Sequence, residues 1–130
     1  MAYYFKTTKK DWSFDETIAH VKAALKEEGF GVLTEIDIKE TLKNKLDVDF
    51  KRYKILGACN PVFAHKALQS EDKIGVFLPC NVVVTENDEG HIEVAGVDPI
   101  ASMVTVENEG LGEIAQDVQA KMKRVIASLN

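Results

Sequence analysis

The sequence predicts a single α+β domain in which helices cover one face of a mixed or antiparallel sheet. Helical and extended patterns alternate in the order β-α-β-α-β-α-β-β-β-α. A hairpin in the second half means that the sheet is not purely parallel. The 130 residues contain no linker, repeat or low-complexity stretch, so residues 1–130 form one domain. A chain of this length buries about two-thirds of its unfolded surface and needs neither a disulfide nor a metal ion to fold.

The N-terminal part of the chain predicts a strand followed by a long helix. Residues 2–8 alternate as an extended segment. Ser13 and Glu16 then form a capping box, in which each side chain bonds a free backbone N–H of the first helical turn. Gly29 provides the left-handed stop of a helix over residues 14–28. The apolar face of that helix recurs at Phe14, Ile18, Val21 and Leu25.

A second strand and a short second helix follow. Residues 31–36 predict the strand, and Asp37 with Glu40 forms another capping box. The apolar face of the second helix consists of Ile38, Leu42 and Leu46. Residues 53–58 then predict the third strand.

The C-terminal half predicts one helix, three strands and a final helix. Asn60-Pro61 is a strong helix start and predicts a helix to about residue 68. Residues 74–78 and 82–86 are mostly apolar strands, interrupted at Pro79, which cannot donate to a sheet ladder. A turn at 87–90 leads to a strand over 92–97, and Asp98-Pro99 ends the hairpin. The last helix has an apolar stripe at Leu111, Ile114, Val118, Met122, Val125 and Leu129.

Composition and charge exclude several classes of protein. The chain is 28% charged with a net charge of -5, which argues against a nucleic-acid partner. The lysines near residues 43–54 fit a solvated surface. No apolar run is long enough to span a bilayer, and the N-terminus is unlike a signal peptide, so we expect no membrane association and a cytoplasmic location. In that reducing compartment the two cysteines are expected to be free thiols.

The best candidate site lies at two matched dipeptides, Cys59-Asn60 and Cys80-Asn81. If a right-handed crossover joins the third and fourth strands, those strands run parallel and both dipeptides lie at one edge of the sheet. We therefore predict Cys59, Asn60, Cys80 and Asn81 as ligand-binding or redox residues. The helix start after Cys59 would lower the pKa of its thiol.

Structural roles explain the same residues without any activity. Cysteine is commonly a small buried hydrophobe, Asn60 is a helix cap, and Asn81 can satisfy a bent backbone beside Pro79. The cysteines lack the paired spacing of a zinc site, so we predict no metal. The sequence has no phosphate loop, nucleotide fingerprint or nucleophile motif, so we predict no cofactor and no catalytic residue.

In the segment over residues 74–86, both alternating sets of side chains, which would face opposite sides of a sheet, are mostly apolar. This pattern indicates burial on both faces, either under helices or against a second copy of the chain. A homodimer is therefore expected.

Four segments resemble a known family: 29–33, 53–61, 78–84 and 97–99. Over roughly residues 3–104 the chain resembles domain of unknown function 302. The resemblance implies a compact α+β fold of the TATA-binding-protein-like type, often found as a homodimer, and no established activity. It implies no DNA binding, because a fold does not determine a function. The family motif falls on Cys59, Asn60, Pro61, Pro79, Cys80 and Asn81.

Three functional hypotheses remain open at this stage. The leading one is a small dimeric cytoplasmic protein that binds a small molecule or a partner and has no catalytic activity. The alternative is a thiol-based redox protein that uses Cys59 and Cys80, which requires their Cα atoms to lie within about 7 Å. In the third, the cysteines are core residues of a purely structural interaction module.

Overall fold

A computed structural model describes residues 2–130, which form a two-layer α+β fold. Its strands are β1 Tyr4–Lys9, β2 Gly31–Asp37, β3 Tyr53–Cys59, β4 Cys80–Glu86 and β5 Ile92–Val97. Its α-helices are α1 Phe14–Glu27, α2 Ile38–Leu46, α3 Pro61–Ser70, α4 Pro99–Ser102 and α5 Glu109–Ser128, and a 3-10 helix spans Asp72–Phe77. The predicted fold class is confirmed.

All five strands pair antiparallel in the order β1-β5-β4-β3-β2. The parallel pairing expected for the third and fourth strands is therefore wrong. The chain leaves β3 at Cys59 and enters β4 at Cys80, at the same edge of the sheet. The intervening α3 and 3-10 helix form a loop that returns to that edge, whereas a parallel crossover would return to the opposite one.

The strand predicted over residues 74–78 is also wrong, because residues 72–77 form the 3-10 helix. Only Ile74 in that helix is buried, in a small apolar cluster with Ala67 and Leu111. Val76 is 79% exposed. One buried side chain is enough to pack a short 3-10 helix against the protein. A central strand would instead bury every second side chain.

The main core lies between the sheet and the helices α1 and α5. Strand alternation directs Leu56, Val82, Val84 and Val94 towards these helices, and all four are fully buried. Met122 of α5 lies against Gly96 of β5, where an added Cβ would approach its Sδ to 2.7 Å. The amphipathic patterns of the first and last helices correctly predicted this layer.

Three predicted helix starts are confirmed. Ser13, Asp37 and Asn60 are the N-caps, and each side-chain oxygen accepts a hydrogen bond from the backbone N–H three residues later. Gly29 has a φ of 84°, as the predicted left-handed stop requires, and the Phe30 N–H donates to the Leu25 carbonyl. Asp98 does more than end the hairpin, because it caps the short helix α4.

The second face of the sheet, called here the open face, consists of the strand residues that alternate away from α1 and α5. Of these residues only Gly57 is buried, and the rest are exposed or half-buried. The open face comprises Tyr4, Lys6, Thr8, Thr34, Ile36, Tyr53, Ile55, Gly57, Asn81, Val83, Thr85, Glu93, Ala95 and Val97. The expectation that residues 74–86 are buried on both faces therefore does not hold within one chain.

Candidate functional site

An apolar cavity, called here the cysteine cavity, lies where β3 ends and β4 begins. Strand residues Cys59 and Cys80 line one side, and side chains of α3 and α5, such as Phe63 and Leu111, line the other. Its volume is about 40 Å³. Sites for metabolites are usually several hundred Å³ in volume. This cavity therefore has room for a very small ligand and excludes a nucleotide or a cofactor-sized molecule.

The antiparallel register places the two cysteines side by side. Ala58 pairs with Cys80, and Cys59 is the next residue along β3. Ladder geometry therefore separates the Cα atoms of Cys59 and Cys80 by about 6 Å. This Cα separation lies within the range of a disulfide, but Cys80 shares its face of the sheet with Ala58, and Cys59 is one step further along β3. Their side chains therefore point to opposite faces, and a disulfide would require the backbone to move. Both cysteines are free thiols in this structure.

The two thiols differ in their access to water. Cys59 is half-buried, whereas Cys80 is 8% exposed and belongs to the main core. Burial, followed by the neighbouring Cys59 thiol, raises the pKa of the Cys80 thiol to about 11. The Cys80 thiol is therefore protonated at neutral pH and is a poor attacking nucleophile.

Asn60 lines the same cavity but already has partners. Its Oδ1 accepts a hydrogen bond from the Phe63 N–H at 3.5 Å, and its Nδ2 donates to the Glu28 carbonyl at 3.3 Å. The residue thus caps α3 and joins it to the end of α1. The amide also has a second N–H and a second oxygen lone pair, so it could contact a ligand without losing either hydrogen bond.

Asn81 lies on the other side of the sheet. Alternation along β4 directs Cys80 into the core and Asn81 onto the open face, where it is exposed. The four residues predicted from the sequence therefore form a group of three around the cavity and one remote residue. Matched dipeptides do not imply matched positions, because a strand reverses its side at each step.

Several residues that line the cavity were missed as site residues. Met103, just after α4, contributes a third sulfur-containing side chain, and Val118 contributes from the middle of α5. The helical stripe correctly predicted that Val118 is buried, but nothing in its spacing indicates a cavity. Met103 carried no local signal, because it lies in a segment read only as the end of a hairpin.

The open face is a second candidate surface. All three tyrosines of the chain line its central depression, together with Lys6, Lys51 and Glu93. Lys6 Nζ lies 3.3 Å from Glu93 Oε1. The depression is flanked by the small apolar side chains of Val83 and Ala95.

Two kinds of feature are absent from residues 2–130. These residues contain no cluster of three or more His, Cys, Asp or Glu side chains arranged to hold a metal ion. None of their helices has the length and apolar character needed to cross a membrane.

Comparison with known proteins agrees with this geometry. The family model described as "Domain of unknown function DUF302" matches residues 5–129. The chain belongs to this family. A solved DUF302 structure, the crystal structure of an uncharacterized conserved protein from Bacillus stearothermophilus, is 28% identical to the chain. It superposes with a TM-score of 0.91, and the match covers 100% of both chains. No curated protein sequence matches this one. The DUF302 resemblance of the sequence is therefore confirmed.

Proposed function

We propose that this DUF302 protein is a binding domain without catalytic activity that works as a homodimer through its open face. One observation carries the proposal: the whole second face of a five-stranded sheet is uncovered and carries a central apolar area. An apolar area rimmed by polar and charged side chains is a common feature of protein interaction sites.

The area of the open face fits a second copy of the chain. Five strands spaced about 4.8 Å apart and about 20 Å long present about 500 Å². Two such faces bury about 1,000 Å² in total, which is the lower limit for a specific interface. The tyrosines add large side chains of the kind that anchor interfaces.

The charges on the open face also favour self-association. Lys6 and Lys51 are cationic and Glu93 is anionic, so a second copy would meet both signs of charge. A uniformly basic face would repel its copy and would instead attract nucleic acid. The net charge of -5 is consistent with a protein partner.

A charge at the centre of the open face tests the dimer. Val83→Glu should convert the dimer to a monomer, because the interface would have to bury an unpaired carboxylate. The matched control is Val76→Glu, which alters a 79% exposed valine on the 3-10 helix and should leave the dimer intact. Sedimentation velocity measures the mass of each variant, and circular dichroism confirms its fold. A monomeric wild-type protein, or a dimeric V83E variant, would overturn the proposal.

The cysteine cavity is the proposed site for a small ligand, because it is enclosed by two strand ends and by α3 and α5. The thiol-based alternative would use Cys59 and Cys80, which lie on neighbouring strands. Mass spectrometry of the unreduced protein separates the two: a disulfide makes the chain lighter by two hydrogen atoms, and a bound ligand makes the native complex heavier.

We also propose a cytoplasmic location. Free thiols are typical of proteins in a reducing compartment, where disulfides rarely persist. Fractionation of cells that express the protein should therefore recover it in the cytoplasmic fraction, and recovery from an exported fraction would overturn this proposal.

A further inference from the structure

A second pocket, called here the outer pocket, lies beside the cysteine cavity. It is formed by α4, residues 103–108 and the first turns of α5, and its volume is about 230 Å³. Met103, Leu111 and Ala115 line both the outer pocket and the cysteine cavity. The two spaces are therefore neighbours that share a wall of three residues. Together they approach the volume of about 300 Å³ at which typical sites for small molecules begin.

Met103 is the residue of this shared wall whose side chain can move. Leu111 and Ala115 are buried on α5, whereas Met103 is half-buried and follows the four-residue helix α4. A methionine side chain is unbranched and has three rotatable bonds, so it can change its rotamer without moving the backbone. Rotation of the Met103 side chain towards solvent would join the outer pocket to the cysteine cavity.

The linings of the two spaces are apolar, with few polar side chains. Within residues 2–130, no Lys, Arg, His, Asp or Glu lines either space. The cysteine cavity has the Asn60 amide, and the outer pocket adds the amides of Asn108 and Gln116. Gln116 is exposed on α5, and its amide can both donate and accept hydrogen bonds. Such linings favour a molecule with an apolar end in the cavity and a polar end near solvent.

The charge of the surrounding chain disfavours an anionic ligand. Residues 99–120, which include α4 and the first half of α5, contain four acidic residues and no Lys, Arg or His. A carboxylate ligand would meet like charges there. An ammonium ligand would find no carboxylate in either lining to pair with. The linings and their surroundings therefore favour an uncharged ligand.

We propose that the outer pocket and the cysteine cavity form one binding site, opened by rotation of Met103, for a small uncharged molecule with a short hydrocarbon chain. The chain enters the cysteine cavity, and the polar group stays beside Gln116. Binding is non-covalent and is driven by the removal of apolar surface from water. The inference rests on the proposed role of the cavity as the ligand site and is independent of dimerisation.

A titration of the full-length protein with 1-hexanol, followed by amide NMR, tests the proposal. The Gly112 amide reports on the outer pocket and the Cys59 amide on the cavity, whereas Gly90, in the turn before β5, lines neither. We expect saturable shifts at Gly112 and Cys59 and no shift at Gly90. Hexanoate and hexylamine carry the same chain with a negative and a positive charge, and each should bind more weakly than 1-hexanol.

Two substitutions in the shared wall should act in opposite directions. Ala115→Leu fills the connection and should weaken 1-hexanol binding by about tenfold or more, the scale on which single methylene groups change affinity. Met103→Ala should tighten binding, because a closed state no longer competes with the ligand. The matched control is Ala120→Leu, at an exposed alanine of α5 that lines neither space. Thermal unfolding separates a blocked site from a lost fold, and the M103A result does not depend on whether A115L folds.

Four results would each overturn the proposal: no saturable shift with 1-hexanol, tighter binding of hexanoate or hexylamine, equal binding by A115L and A120L, or weaker binding by M103A. Shifts at Cys59 without Gly112 would keep the cavity as a ligand site but would contradict a connection through Met103. Shifts at Gly112 alone would confine the ligand to the outer pocket and would also contradict it. Sedimentation of the same samples tests the dimer separately, so each proposal can fail alone.

Discussion

At the scale of single residues, Gly57 shows how closely the strands approach beside the site. A Cβ at this position would lie 2.8 Å from Pro79 Cγ and would collide with Thr34 Oγ1 on the neighbouring strand. Thr34 can rotate, but the proline ring cannot move without shifting the start of β4. The absence of a side chain at residue 57 therefore lets β2, β3 and the segment before Cys80 pack together.

Gly57→Ala should lower the free energy of unfolding by about 1–3 kcal/mol, because overpacking forces the backbone apart. The matched control is Gly112→Ala within α5, where an added Cβ has no neighbour within 4 Å. That change should raise stability by about 0.5–1 kcal/mol through helix propensity. Urea denaturation measures both effects. Equal stability of G57A and wild type would show that the strands can separate without cost.

At the scale of elements, contacts between α1 and α3 fix the position of the strand end that lines the cysteine cavity. Asn60 caps α3 through its oxygen and reaches the end of α1 through its nitrogen. The α1 end is further tied to α5, since Arg124 Nε lies 3.0 Å from Glu28 Oε1. The Asn60 side chain thus links the start of α3, next to Cys59, to the C-terminal end of α1.

Two substitutions at Asn60 separate its two hydrogen bonds, the one that caps α3 and the one to the Glu28 carbonyl. Asn60→Asp keeps a capping oxygen but loses the donor to Glu28, whereas Asn60→Ala loses both. We expect N60A to cost about 2 kcal/mol and N60D to cost less. Ser13→Ala removes an exposed cap alone and should cost about 1 kcal/mol. Thermal or urea unfolding ranks the stability of the three variants. If N60D is as stable as the wild type, the hydrogen bond from Asn60 to the Glu28 carbonyl adds nothing to the free energy of unfolding.

At the scale of the whole molecule, three titrating groups shape the dependence of stability on pH. A hydrogen bond from Lys22 is the main cause that lowers the pKa of Glu35, and one from Asn87 is the main cause that lowers the pKa of Glu93. Their contribution is present above pH 4.5 and is lost as the pH falls through the folded values, since the unfolded chain then binds more protons. Both pairs are partly exposed to solvent, so salt will weaken them.

Cys80 acts at the opposite end of the pH range. Its pKa rises from 9.0 to about 11 on folding, so its contribution is complete below pH 9 and is lost between pH 9 and about 11. Stability should therefore be highest between pH 5 and 9. Urea midpoints across pH test this: E35Q/E93Q should flatten the acid side of the profile, and C80A should flatten the alkaline side. An unchanged alkaline slope in C80A would show that Cys80 is not the group responsible.

Local patterns determined much of this molecule. Apolar periodicity and capping chemistry predicted α1, α2, the start of α3 and the course of α5, because those signals act within a few residues of each other. The turn at 87–90 correctly predicted the β4–β5 hairpin. The motifs around Cys59 and Cys80 identified the family. These parts of the fold follow from chemistry that neighbouring residues share.

Other features depended on contacts between distant parts of the chain. Residues 74–78 are as apolar as a strand, yet Ile74 finds its partners in Ala67 and Leu111, and the segment becomes a 3-10 helix. The direction of β4 relative to β3 depends on which sheet edge the chain returns to, which no local pattern encodes.

The residues around the two cysteines were likewise determined partly by local sequence and partly by tertiary structure. The sequence by itself indicated that Cys59 follows the third strand and that Cys80 follows a strand over residues 74–78, where the structure has a 3-10 helix instead. Only the tertiary structure decided that they lie on neighbouring strands, that Cys80 faces the core while Asn81 faces the open face, and that Met103 lines the same cavity. Local propensity acts within one element, whereas strand pairing and the shape of a cavity depend on how all the elements pack at once.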